Sequence, residues 1–491
     1  MSNIEHCHSD DVTSVFVDLP DTAVGSVIKI DGKCYMKTGI EGPIDTQTSS
    51  ITARGDNCGE CDLVPAPTAT GLCLESLATT TSNGSDSPGT YGINISDDAN
   101  VVTASHAWVG HSTSYRVGGT YVWRKQSDGQ WAFIQHIGTG STNMPAHWHA
   151  MNRDGNVIAS GRYRSSGYPE SNVDVYRYDE TTQTYQTVGS TMSFGTSQSN
   201  INPGHLQLNA TGNIIAIPDL FRNHGIGWRF KKLSHDWDDP DADWVDHAPN
   251  FLFPSIGSDG LGKTIQGNSN SNANNFGTMS RDGRMMVIPH HERLGNSQHS
   301  YAVVMYRLND TLDTWEECGV IATNAEIAGL DYYTSYRIAV SEDFMTVAIS
   351  DIDVDTASLN NVGKIYVYNT DTTPNTSTTW NSAGVITGNV AQARLGTTIK
   401  LSHDGEYLMA SAPGFYHPTA WPTSQGDDAH GSLHVYKRDG TSNWIKQFEV
   451  TPQSPPPNSN HDYGFSQVFA VSRDLSTYIT GYRGTVCEYN A

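Results

Sequence analysis

Four cysteines pose the first chemical question. Cys7, Cys34, Cys58 and Cys61 fall within the first 61 residues, the last two as a Cys-Gly-Glu-Cys turn. Four thiolates so spaced can hold a zinc ion tetrahedrally, with His8 able to stand in for Cys7. Two disulfides would staple the same stretch equally well, and either role is structural, not catalytic. A second constellation is Asp351, Asp353 and Asp355. Their alternation could gather a calcium ion from one side, although no glycine or bidentate glutamate follows at loop spacing. A third, Gly257-Ser-Asp-Gly-Leu-Gly-Lys-Thr264, fits the phosphate-loop pattern in full. Phosphate binding there needs a helix to follow, and IQGNSNSNANN will not make one. The match is read as coincidence, and Arg54-Gly55-Asp56 as a turn beside Cys58.

Composition narrows the classes. Against 52 Asp+Glu stand 29 Lys+Arg, a net charge of −23 over 491 residues. Such a surface repels phosphate backbones, so nucleic acid is not an expected partner. No apolar run approaches the ~20 residues of a membrane helix, so no membrane insertion is expected. The opening MSNIEHCHSDD carries no expected secretory signal. With 46 glycines and 10% aromatic residues, the chain suits an all-β protein rich in turns.

The elements that must position these groups come in two kinds. In the head, VTSVFVDL (12–19) and SVIKIDGKCYM (26–36) read as strands, with Asp31-Gly32 where a two-residue hairpin turn would want it. A module of residues 1–61 is too small to hold itself by apolar burial, hence the expected staple. DLVPAPTAT (62–70) reads as a linker. Beyond it a four-strand unit repeats. The turn-bearing strand recurs around Ser96, Asn152, Asn209, Ser280, Ser341, Ser402 and Ser472, at steps of 56, 57, 71, 61, 61 and 70 residues. A third strand recurs in register (GTYVWRK, KIYVYNT, SLHVYKR), and a fourth around Trp131, Tyr185, Trp244, Trp315, Trp380 and Trp444. The seventh repeat lacks its fourth strand because the chain stops at Ala491. An open sheet edge invites aggregation, so GLCLESLAT (71–79) is expected to supply it beside Val486–Tyr489. The predicted fold is all-β: a seven-bladed β-propeller over 71–491, closed by an N-terminal strand and preceded by a small Cys-rich β module.

Two resemblances follow from particular residues. Tyr91-Gly92, Phe276-Gly277, Leu395-Gly396 and Tyr463-Gly464 open inner strands, and Ala410-Ser-Ala-Pro-Gly414 ends a second strand. These units resemble FG-GAP repeats, the blades of integrin-α-type seven-bladed propellers. Blades of that family often carry calcium in the first hairpin, where this chain has only the short SRDG or SHDG. In the head, VDLPDTAVGSVIKIDGKCYMKTG followed by CGEC is similar to Cys-bearing modules of marine virus and phage virion or tail-appendage proteins. That resemblance implies a virion surface or appendage location.

Strand direction assigns the faces of such a propeller. First hairpins are short, while the second-to-third connections are long and carry Trp108, His111, Tyr115, Tyr163, Tyr168, His224, His290, His291, Tyr416, His417 and Trp421. Loops recognise while the scaffold stays rigid, so these residues are the expected contact surface for a glycan or a protein. Trp315, Trp380 and Trp444, in phase with the repeat, are expected to pack between blades. Hydrolytic carboxylates would stand near the channel mouth, where Asp331 and Asp462 lie beside His147, His205, Arg394 and His461. No nucleophile–base pair has readable spacing there. The expected function is therefore a non-enzymatic virion or appendage structural and attachment protein. Its partners would be other virion proteins in a multicopy assembly and a glycan or host-surface receptor. A secreted or cell-surface FG-GAP adhesin or lectin is the alternative, and a propeller glycoside hydrolase a more distant one.

Overall fold

A computed structural model describes residues 14–17, 27–30, 33–41, 48–53, 68–74, 92–109, 117–137, 148–162, 172–193, 206–221, 225–247, 251–252, 262–265, 277–295, 298–327, 336–414, 431–440, 442–450, 469–482 and 485–490. Every regular element among them is a β-strand. The chain divides into two units, with the second spanning Pro67–Asn490. In the first, β1 (Ser14–Val17), β2 (Val27–Ile30), β3 (Lys33–Glu41) and β4 (Thr48–Ala53) form an antiparallel sheet ordered β1-β4-β3-β2. Ile30 pairs with Lys33, which leaves Asp31-Gly32 as the two residues between paired strands.

The second unit is a β-propeller. It begins with β5 (Thr68–Leu74). The first blade is β6 (Ile93–Ile95), β7 (Val101–Val109), β8 (Val117–Lys125) and β9 (Trp131–Ile137). The next runs β10 (Trp148–Met151), β11 (Val157–Arg162), β12 (Asn172–Asp179) and β13 (Thr184–Thr187), with β14 (Met192–Ser193) added to β12. The third runs β15 (Gln207–Leu208), β16 (Ile214–Phe221), β17 (Gly225–Leu233) and β18 (Trp244–Asp246), with β19 (Phe251–Leu252) added to β17.

In the fourth, β20 (Gly262–Ile265) and β21 (Thr278–Met279) both pair with the long β22 (Met285–Gly295). β23 (Gln298–Asn309) and β24 (Thr314–Thr323) complete it. The fifth is β25 (Tyr336–Val340), β26 (Thr346–Asp351), β27 (Lys364–Asn369) and β28 (Asn381–Thr387). The sixth is β29 (Ile399–Leu401), β30 (Tyr407–Ala412), β31 (Ser432–Asp439) and β32 (Asn443–Val450).

Six blades are thus continuous in sequence, where the repeats were counted as seven. The strands of the last repeat, β33 (Phe469–Val471), β34 (Thr477–Tyr482) and β35 (Thr485–Asn490), enter a composite sheet whose fourth member is β5. Val486 stands opposite Leu74, Cys487 opposite Cys73, and Asn490 opposite Thr68. The pairing strand therefore starts inside the stretch read as a linker. Thr68, Thr70 and the interposed Ala69 suit a pleated strand once Pro67 is passed.

The first-hairpin turns explain why Ser, Asp and Gly recur. Ser402 Oγ donates to Asp404 Oδ1 (2.6 Å) and accepts the Tyr407 amide (2.9 Å). Ser96, Ser280, Ser341 and Ser472 repeat the arrangement, and Asn152 substitutes its own Oδ1 for the hydroxyl. Burial works against the Asp404 charge, but the Ser402 hydroxyl and the Glu406 amide outweigh it and hold the carboxyl below the usual range. The turn glycine at 155 has φ +72°, and a Cβ there would lie 2.5 Å from the Val101 side chain of the preceding blade. Turn and blade seam are built by one residue.

Blade seams are filled by the fourth-strand aromatics. Trp244 Nε1 donates to Val188 O (3.1 Å), and Trp444 Nε1 to Ala383 O (2.9 Å), each reaching the blade before its own. Beside them lie Gly189 and Gly384, both at positive φ, where a Cβ would meet Trp244 Cδ1 at 3.0 Å and Trp444 Cδ1 at 2.9 Å. Gly319 and Trp380 repeat the pair. The first and last sheets join over Ile93, Val102, Tyr121 and Trp123 packed on Ala470 and Ile479. At this seam Glu488, 3% exposed, accepts from Lys125 Nζ (3.1 Å) and Trp131 Nε1 (3.0 Å).

Two outcomes test this architecture. A chain starting at Pro67 should melt in one cooperative transition, whereas one starting at Glu75 should lose cooperativity in a calorimetric scan. Gly384→Val, which adds strain at φ +119° and a clash 2.4 Å from Ser442 O, should cost roughly 2–4 kcal/mol in denaturant titration.

Candidate functional site

The second residue of each first-hairpin turn brings the next feature together. Asp97, Arg153, Ala210, Arg281, Glu342, His403 and Arg473 hold this position in successive repeats. Their backbones link one turn to the next: Asp97 N donates to Arg153 O (2.9 Å), Ala210 N to Arg281 O (2.7 Å), Glu342 N to His403 O (3.0 Å) and Arg473 N to Asp97 O (3.4 Å). Their side chains then meet across the axis. Arg281 binds Asp97 Oδ2 through Nη1 (2.9 Å) and Glu342 Oε1 through Nε (3.1 Å). Arg153 adds a 2.7 Å contact to Asp97, and Arg473 a 3.1 Å contact to Glu342. Three guanidiniums face two carboxylates.

Beside this cluster lies a cavity of about 260 Å³, lined by Asn94, Thr278, Met279, Val340, Lys400 and Val471 with Asp97, Arg281, Glu342 and Arg473. Lys400 sits between Ile399 and Leu401 on β29, where Ile399 packs in the core. Its side chain is exposed to this cavity, which is lined by protein on the sides and open to solvent. Burial pulls its pKa below the ordinary lysine value. No ion pair or hydrogen bond of its amine occurs among the described residues.

Two histidines are held neutral by burial, one beside the cavity and one on β31. His149 lies 2.7 Å from Thr103 Oγ1 and 3.0 Å from Asn94 Nδ2, and burial lowers its pKa to about 3. His434 Nε2 lies 2.7 Å from Ser432 Oγ, with Tyr436 OH 3.1 Å from Nδ1 and Glu449 at 3.5 Å. Burial lowers this histidine to about 4 against the pull of Glu449. The types suit nucleophilic catalysis, but Ser432 is wholly buried and closed to a substrate.

The residues singled out from sequence fare differently. Asp351 is 4% exposed and accepts the Asp353 amide (3.3 Å), Asp355 accepts the Asn361 amide (2.8 Å), and Asp353 lies 3.8 Å from Arg394 Nε. Each carboxylate is engaged separately. Among the described residues no group of three or more His, Cys, Asp or Glu is placed to hold a metal ion. His290 and His291 are not loop residues. They stand on β22, paired with Ala302 and Tyr301 on one side and with Ile265 and Thr264 on the other. The pattern at 257–264 ends in a strand, as its reading as coincidence requires.

Trp108 is on β7 and Cys34 on β3. His111, Tyr115, Tyr163, Tyr168, His224, Tyr416, His417, Trp421, Cys7, Cys58 and Cys61 lie outside the described residues, as do Asp331, Asp462, His147, His205 and His461. The axial ion pairs and Lys400 were missed. The signal was there in the charges of both signs at one turn position and in a lysine within an inner strand.

No protein-family model matches the chain, and no curated protein does. Solved structures do. The Cps50 (Swd1) β-propeller domain from Myceliophteria thermophila aligns at TM-score 0.47 and 10% identity over 87% of this chain and 100% of that one. The β-propeller domain of the Trilobed protease from Pyrococcus furiosus aligns at 0.40 and 12%, over 82% and 94%. A putative 6-phosphogluconolactonase from Bacteroides uniformis aligns at 0.43 and 13%, over 74% and 85%. Likeness at this level concerns the fold and leaves function to the residues themselves.

The buried histidines fix a pH dependence. An unfolded chain takes up protons below about pH 6.5, while folded His149 stays neutral down to about 3. The stabilisation is thus complete above about pH 6.5 and is lost as pH falls toward the folded value. Denaturant midpoints should drop between pH 7.5 and pH 4, and His149→Gln should make that slope shallower.

Proposed function

We propose that this chain is a non-enzymatic structural and attachment protein built on a seven-bladed, FG-GAP-like propeller. The count of seven takes β33, β34, β35 and β5 as one blade beside the six continuous ones. Gly277 and Gly396 support the FG-GAP reading. Both have positive φ (+110° and +93°), and a Cβ would lie 2.3 Å from Val287 O in one and 2.6 Å from Ser350 Cβ in the other. Only glycine suits such places.

One observation carries the functional reading. The short-turn end is locked by turn-to-turn backbone bonds and by mutual ion pairs, so Asp97, Arg153, Arg281, Glu342 and Arg473 are spent on rigidity. A platform fixed at one end leaves recognition to the long connections at the other. The contact residues proposed there are His111, Tyr115, Tyr163, Tyr168, His224, Tyr416, His417 and Trp421, with Trp108 near the end of β7, for a glycan or host-surface receptor. The N-terminal module, stapled by zinc or disulfides, anchors the chain among other virion or appendage proteins.

We predict that the triple variant Tyr416→Ala, His417→Ala, Trp421→Ala loses glycan-array or host-cell binding at least tenfold with an unchanged melting curve. Binding that survives it sinks the loop reading. Immunogold labelling of purified particles tests location, and unlabelled particles would refute it.

A further inference from the structure

We propose that the axial cavity beside the ion-pair cluster binds a small oxyanion-bearing solute, a carboxylate or a phosphate, with Lys400 as its counter-charge. The chain carries a net charge of −23, yet this place is positive. Among the side chains lining the cavity, Arg281 and Arg473 balance Asp97 and Glu342, and Lys400 adds one positive charge. The arginines are engaged with the two acids, which leaves the Lys400 amine as the group that lacks a partner among the described residues. An ammonium without a counter-ion in a protein-lined cavity is partly desolvated, and an oxyanion offsets that cost by a charge-assisted hydrogen bond. Thr278 and Asn94 line the same space with polar side chains. A cavity of about 260 Å³ has room for about nine waters at roughly 30 Å³ each, which suits a small metabolite and excludes a polymer. The lowered pKa of Lys400 agrees with this position. The site stands apart from the loop face, so either can fail without the other.

Titration calorimetry of the full chain with citrate and with inorganic phosphate tests it. Saturable binding of one or both is expected, and which of them binds assigns the ligand class. Lys400→Met should weaken that binding at least tenfold and raise the ligand-free melting temperature, since it removes an unpaired charge. No saturable binding of either anion, or equal affinity in the variant, overturns the proposal. If the variant fails to fold, NMR of reductively methylated wild-type protein decides. The Lys400 titration midpoint should rise on adding anion, and an unmoved midpoint overturns the proposal.

A separate observation carries a second inference. Of the cysteines, Cys73 and Cys487 are direct partners in the β5–β35 ladder, although 414 positions separate them in the chain (487 − 73). Directly opposed residues in antiparallel strands have Cα atoms about 4.5–5.5 Å apart, inside the range a disulfide spans. From this register we infer that a Cys73–Cys487 disulfide seals the composite sheet. The bond forms by exchange with a small disulfide: two protein thiols give one protein disulfide, and the small disulfide is reduced to two thiols. Peptide mapping of the full chain after treatment with oxidised glutathione should recover the 73–487 cross-link. Reduction should lower the melting temperature of the wild type more than that of Cys487→Ser. Cys73 joined to a cysteine of residues 7–61, or both cysteines still alkylatable, overturns it.

Discussion

The pairing of β35 with β5 is the constraint on which the rest of the propeller depends. A blade has apolar faces that only neighbouring blades can cover, so a row of blades has two ends that remain uncovered until it closes. The row ends in β33–β35, three strands with an unpaired outer edge, and β5 supplies the edge from the opposite end of the unit. Closure also brings Ala470 and Ile479 against Tyr121 and Trp123. Glu488 then reaches across this seam to Lys125 and Trp131. A buried carboxylate is tolerable only when its partners are in place, so this contact favours one registration of the last sheet against the first.

A second closure works at the axis. Each first hairpin has a turn whose serine or asparagine satisfies the local amide, and the next residue's backbone bonds the following turn in five of them. The side chains at that residue are then forced together, because the turns converge. Like charges would oppose closure. The sequence places Asp97 and Glu342 among Arg153, Arg281 and Arg473, and Arg281 spans both acids. Such half-buried networks contribute more than isolated surface pairs, and they specify which blades face each other.

Much of this was legible in the chain itself. Alternation and the recurring Ser-X-Asp-Gly turn fixed the strands, and the absent fourth strand of the last repeat pointed to closure by a segment near residue 71. The boundary was misplaced because Pro65 and Pro67 made Thr68–Thr70 look like linker, whereas proline is tolerated just before a strand. His290 and His291 looked like loop because histidine beside Pro289 is a poor strand signal. Ladder bonds to β20 on one side and β23 on the other hold them extended regardless. The axial ion pairs escaped for a different reason. Their residues are far apart in sequence, and only closure makes them neighbours.

The seams show how a ring of unlike blades stays regular. Trp244, Trp380 and Trp444 each sit against a glycine of the preceding blade, at 189, 319 and 384, where positive φ and the missing Cβ open space for the indole. The indole supplies area and its N–H fixes the depth, as Trp244 and Trp444 show by bonding carbonyls one blade back. Blade spacing is thus set by backbone contacts. Connections between strands can then vary in length and composition without disturbing it. The steps between repeats, from 56 to 71 residues, are the consequence: a framework indifferent to its loops is one on which recognition surfaces can change.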